Sequence, residues 1–296
     1  MLYLIGYILC GVLSLISTYF ASNEYSLSIV MFTTVAITAT FYSILTIMQT
    51  KYIYATLLKH KTIYFSLLFL TALIWWLTFV INKVVSPTFL ELIFGYTAPI
   101  IAVFIEWRKR KQILHRNVFL ALLVVGGLIC NFLLQHYSFL YSCIIILYVI
   151  TFGTAFFLFS HISSTMNKKF NLSVLAILAV RYWLLLIVLM VYIFANHPDY
   201  VRPLTSFVFY GKMIYIAVFL FIIPVYLYQK AIEKLGANKS LIMLSFSPIL
   251  MFIGEMVYKT YSPTDLRLLI AAIAMFIITV CYKLAESKNA KENLNS

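Results

Sequence analysis

Residues 98–107 read APIIAVFIEW, and residues 247–256 read SPILMFIGEM. Each is an apolar run that holds a proline and reaches a carboxylate seven residues after it. Pro99 to Glu106 and Pro248 to Glu255 share this spacing, and the two stretches lie 149 residues apart in a chain of 296. A proline inside a helix removes one backbone donor and crowds the carbonyl four residues back. A matched pair half a chain apart therefore points to one helical plan used twice.

Working outward from these stretches, apolar runs recur from end to end. Hydrophobic residues make up 64% of the chain and charged residues 10%. A soluble domain of that composition lacks the polar residues to cover itself. Runs of about 18 apolar residues or more are transmembrane helices. Ten are expected, at 2–20, 27–49, 62–82, 88–107, 117–134, 138–160, 172–196, 204–228, 240–258 and 264–283. Barrel strands would alternate apolar and polar residues instead, so the fold class is an all-α integral membrane protein. The stretch MLYLIGYILCG lacks a basic leader region and a small-residue cleavage site, and reads as a retained helix.

Net charge is +13, and its placement excludes a nucleic-acid partner. With the N-terminus in the cytoplasm and ten crossings, 16 of the 22 basic residues fall on the cytoplasmic side. This is the positive-inside pattern. Both termini are expected in the cytoplasm, with residues 286–296 as a short tail and a bacterial plasma membrane as the setting. The run RKRKQ (108–112) reads as a topology anchor against lipid headgroups. Cys10, Cys130, Cys143 and Cys281 are isolated, and no histidine cluster forms, so neither metal nor cofactor is expected.

Sliding the chain by 149 residues lays VSPTFLELIFGYTAPIIAVFIE (85–106) over KLGANKSLIMLSFSPILMFIGE (234–255) without a gap. Five crossings per half is an odd number, so the second half enters from the opposite side. Two inverted five-helix repeats, 1–136 and 137–285, are the expected organisation. In transporters this design places substrate between the repeats.

Several residues stand out as candidates for chemistry. Pro99 and Pro248 are either paired kinks lining a cavity or ordinary kinks packed against neighbours. Glu106 and Glu255 fall at opposite membrane faces, as salt-bridged gates or as solvated helix ends. Arg181 is the deepest charge, about nine residues into its helix. It is read either as a group that holds a substrate anion or as a structural pin bonded to helix carbonyls. Trp75, Trp76, Tyr96 and Tyr182 are candidate pocket aromatics, with packing as the plain alternative. Glu91, early in its helix, reads as an anion at the positive end of the helix dipole.

Ten helices in two halves, PIIAVFIE and PILMFIGE in helices 4 and 9, and AVRYW (179–183) in helix 7 resemble the drug/metabolite transporter superfamily, in its EamA-like branch. The likeness implies a central cavity lined largely by helices 1, 3, 4, 6, 8 and 9, worked by alternating access. Two features depart from that pattern. The counterpart of Arg181 falls near Phe32 in a helix without arginine, and the chain has nine glycines.

The expected function is a secondary transporter, an exporter or exchanger of a small-molecule metabolite or amphipathic compound. It would act as a monomer or homodimer among membrane lipids. The rivals are an intramembrane enzyme for a lipid-linked or prenyl substrate and a non-alternating channel. The enzyme reading lacks clustered aspartates to hold Mg²⁺, since Asp199 and Asp265 are the only ones and both fall outside.

Overall fold

The computed structural model describes residues 2–3, 5–10, 25–81, 85, 87–110, 113–196, 207–257, 269–278 and 280–282. Most of the expected first crossing lies outside them, as do Asp199, Arg202, Lys259 and Asp265 and the side chain of Glu255.

All regular structure among the described residues is helical. In chain order the helices are α1 (Leu27–Leu45), α2 (Thr50–Lys59), α3 (Lys61–Ile81), α4 (Pro87–Arg110), α5 (Ile113–His136) and α6 (Phe139–Phe170). They continue as α7 (Val174–Arg181), α8 (Trp183–Asn196), α9 (Phe207–Ile216), α10 (Ile223–Leu235), α11 (Ala237–Met243) and α12 (Ser247–Val257). Among the described residues, seven helical stretches are long and apolar enough to cross a membrane. Their surfaces match that setting. Phe65, Phe69, Leu147, Phe194 and Ile214 are large, apolar and exposed.

Three of the expected crossings are interrupted helices. The run 172–196 breaks at Tyr182 into α7 and α8. The run 204–228 passes through a π-helical segment, Ala217–Ile222, immediately before Pro224 in α10. The run 240–258 tightens into a 3₁₀ turn, Leu244–Phe246, just ahead of Pro248. By contrast α4 runs on through Pro99. The expected crossing 138–160 continues to residue 170, because SHISSTMNKKF has no breaker. It stops at Asn171, whose φ of 51° is left-handed. There the Leu172 N–H donates to the Met166 carbonyl at 3.3 Å, and the Asn167 side-chain amide donates to the Leu172 carbonyl at 2.7 Å.

The contacts divide the chain into two compact units. One contains residues 1–87 and 158–237, the other residues 88–157 and 238–296. In the first, α1 packs against α7, α8, α9 and the π segment, and α3 lies against α7 and α8. Val30, Val35, Ala39, Leu67 and Ile177 are fully buried there. In the second, α4 pairs with several neighbours, as its side-chain partners show below.

Candidate functional sites

In the first unit, Ser173 starts α7 by accepting the Ala176 N–H at 3.2 Å, a standard N-cap. Val174–Ala195 is one apolar stretch of 22 residues, with a single-residue turn at Tyr182 (φ −92°, ψ −11°) that stays in the right-handed helical region. Arg181 lies immediately before this turn, at the last position of α7. Its side chain is 2% exposed. One Nη2–H donates to the Tyr182 hydroxyl at 2.6 Å. The guanidinium lies over the rings of Phe159, at 5.1 Å, and Tyr182, at 4.7 Å. Nε and Nη1 have no hydrogen-bond partner. Among the described residues no carboxylate pairs with it and no helix carbonyl accepts from it.

Aromatic rings complete this site. The Trp75 indole N–H also reaches the Tyr182 hydroxyl. The Phe221 ring lies 4.1 Å from Trp75 and edge-on to Tyr182 at 6.0 Å. Tyr42 donates its hydroxyl to the Ile222 carbonyl at 2.5 Å, at the end of the π segment. Further along, Tyr228 and Ser160 share a 2.9 Å hydrogen bond, and Gln229 donates to Asn167 at 3.3 Å. Among the described residues of this interior, Arg181 is thus a fixed cation among neutral hydrogen-bonding groups.

The second unit is organised on α4. A proline leaves the carbonyl four residues before it without its usual donor, and for Pro99 and Pro248 those carbonyls belong to Gly95 and Leu244. Ser245 donates to the Gly95 carbonyl at 3.1 Å, and Ser247 donates to the Leu244 carbonyl at 2.8 Å. The two proline regions also touch. A Cβ on Gly95 would lie 3.1 Å from the Leu244 oxygen and 3.1 Å from the Pro248 ring. Both prolines are buried. Glu91, expected as an anion in the first turn of its helix, lies beyond that turn, is 5% exposed and is hydrogen-bonded to Ser247, so it is an interior group. At the other end of α4, Asn238 donates its amide to Glu106. Tyr96 and Thr97 face glycines, Gly126 in α5 and Gly153 in α6. A groove of about 430 Å³ opens beside them, lined by Tyr96, Ile100, Leu123, Cys130 and Ile146 among others.

Of the candidates read from the sequence, Arg181, Tyr182 and Trp75 come together in the first unit. Trp76 does not join them. It is 38% exposed and meets Tyr192 edge-on at 6.1 Å. Pro99, Pro248, Tyr96 and Glu106 belong to the second unit, where Glu255 occupies a helical position in α12. Sequence reading missed Phe159, Tyr42 and Asn238, whose roles depend on tertiary pairing. It also missed Ser245 and Ser247. Two hydroxyls flanking Phe246, just before a proline in an otherwise apolar run, are the signal that could have revealed them.

No protein-family model matches the chain, and no curated protein matches it either.

Proposed function

We propose that this protein is a secondary transporter, carrying a small metabolite across the membrane by alternating access between two inverted five-helix repeats. One observation carries the reading. The division into contact units falls after Pro87 and again after Ala237, 150 residues apart. That interval agrees within one residue with the offset at which the sequence repeats itself. Each unit thus draws on both halves of the sequence, the stretch 88–157 of the second unit running past the midpoint, and the Pro99 region packs with its own echo around Pro248. Inverted repeats that interleave in this way suit exchange between two mirrored shapes. The π segment Ala217–Ile222 and the 3₁₀ turn Leu244–Phe246 supply irregular backbone of the kind membrane proteins tolerate only where neighbours or a watery cavity satisfy it.

Two measurements test the proposal. Single cysteines at positions 106 and 255, in a background lacking Cys10, Cys130, Cys143 and Cys281, are expected to label from opposite faces of the membrane. Labelling from the same face would end the inverted-repeat reading. Proteoliposomes are expected to show counterflow, in which unlabelled solute inside drives uptake of labelled solute. A channel would pass solute without that acceleration, and an enzyme would alter it chemically.

A further inference from the structure

Resting on the transport reading, we infer that the Arg181 cluster is a substrate anchor that takes a monocarboxylate with an apolar body and no ammonium group. The two readings of Arg181 make different demands on its nitrogens. A structural pin would spend its N–H groups on helix carbonyls, yet among the described residues only the Tyr182 hydroxyl accepts from it. Nε and Nη1 remain unengaged inside a side chain that is 2% exposed. A guanidinium stays protonated and offers five donors in a planar fork that matches a carboxylate.

Charge balance narrows the ligand. A buried ion is stable only when paired and hydrogen-bonded. Among the described residues, the groups that contact this one are neutral. Tyr182 and Tyr42 are hydroxyls, and the Tyr42 hydroxyl is committed to the Ile222 carbonyl. Phe159, Phe221 and Trp75 are rings. One fixed positive charge therefore calls for one negative charge. A dicarboxylate or a phosphate dianion would strand a second charge. An amino acid would strand its ammonium, since no carboxylate among the described residues pairs with this cluster. The rings favour an apolar body, and the guanidinium stacked on Phe159 and Tyr182 is held so that its remaining donors keep a fixed direction.

The test is direct binding to the full-length protein in detergent, read by thermal shift and tryptophan fluorescence with benzoate, benzamide, phenylalanine and phenyl phosphate as probes. Benzoate is expected to bind saturably. The uncharged, zwitterionic and dianionic probes are expected to bind at least about tenfold more weakly, the loss that accompanies 1.4 kcal/mol. Arg181→Lys keeps the charge but loses the fork and is expected to weaken benzoate by about tenfold, while Arg181→Gln abolishes it. The wild-type probe series stands even if Arg181→Gln fails to fold. Failure of benzoate to bind, equal binding of phenylalanine or phenyl phosphate, or unchanged affinity in Arg181→Lys would each overturn the assignment. Because binding in detergent does not depend on transport, the two proposals fail separately. Benzoate binding without counterflow would remove the transport reading alone, and counterflow of another solute without benzoate binding would remove this one alone.

Discussion

The hydroxyl of Ser245 donates to the carbonyl of Gly95 at 3.1 Å across 150 residues of sequence. This is the carbonyl that Pro99 deprives of its ordinary helical donor. Removing the hydroxyl in Ser245→Ala is expected to lower stability by about 0.5–1.5 kcal/mol, the range for hydrogen bonds between membrane helices. Pro99→Ala restores a backbone N–H at the right position, so the double variant should recover part of the loss. Thermal denaturation of the four proteins in one detergent measures the coupling, and strict additivity would show that the bond contributes nothing.

Neighbouring glycines predict opposite outcomes. A Cβ on Gly153 would collide with the Thr97 side chain and lie 3.1 Å from its backbone carbon, whereas a Cβ on Gly127 meets nothing within 4 Å. Gly153→Ala is therefore expected to cost about 1–3 kcal/mol through overpacking. Gly127→Ala is expected to be neutral or stabilising by up to about 1 kcal/mol. Gly126→Ala should fall between them, because the obstacle is the far end of Tyr96, which can swing aside. Unfolding midpoints in detergent order the three.

The contact between Asn238 and Glu106 can be inverted. Asn238→Asp sets two carboxylates against each other and is expected to destabilise the protein by about 1–3 kcal/mol. Glu106→Gln in the same chain supplies an amide to the new carboxylate and is expected to restore most of the loss. Melting curves at neutral pH check the rescue.

Tyr182 and Tyr42 are both almost wholly buried, yet their hydroxyls do different work. Tyr182→Phe takes away the acceptor shared by Arg181 and Trp75 and leaves a buried cation without any hydrogen-bond partner. A cost of about 1.5–3 kcal/mol is expected, the range for hydrogen bonds to charged groups. Tyr42→Phe removes a neutral hydroxyl-to-carbonyl bond and should cost about 1 kcal/mol. A chemical denaturation series compares them, and Trp75 emission should shift only in the first.

What could be read from the sequence follows from how strongly each signal is imposed by the solvent. Apolar length is dictated by the bilayer, so the helical class and most crossings are visible as runs, with edges such as 172 against Val174 differing by a few residues. Arg181 is legible because a charge that deep is expensive, and the Pro–Glu echo led to the residues where α4 meets the broken stretch ahead of α12. Hydropathy says nothing about whether a turn closes with three, four or five residues. The 3₁₀ turn at Leu244–Phe246 and the π segment at Ala217–Ile222 were for that reason invisible. Partners brought in by tertiary folding, such as Phe159 over Arg181, carry no local mark at all.

Helix α6 has 32 residues, and at 1.5 Å per residue it is a rod of about 48 Å. The hydrocarbon layer is about 30 Å thick. Upright, its final turns with Lys168 and Lys169 must stand in the headgroups or beyond, and only a steep lean would draw them inward. Acyl-chain length thus acts as a mechanical input to this one element, and short-chain or long-chain vesicles should tune the protein's behaviour without a single residue being changed.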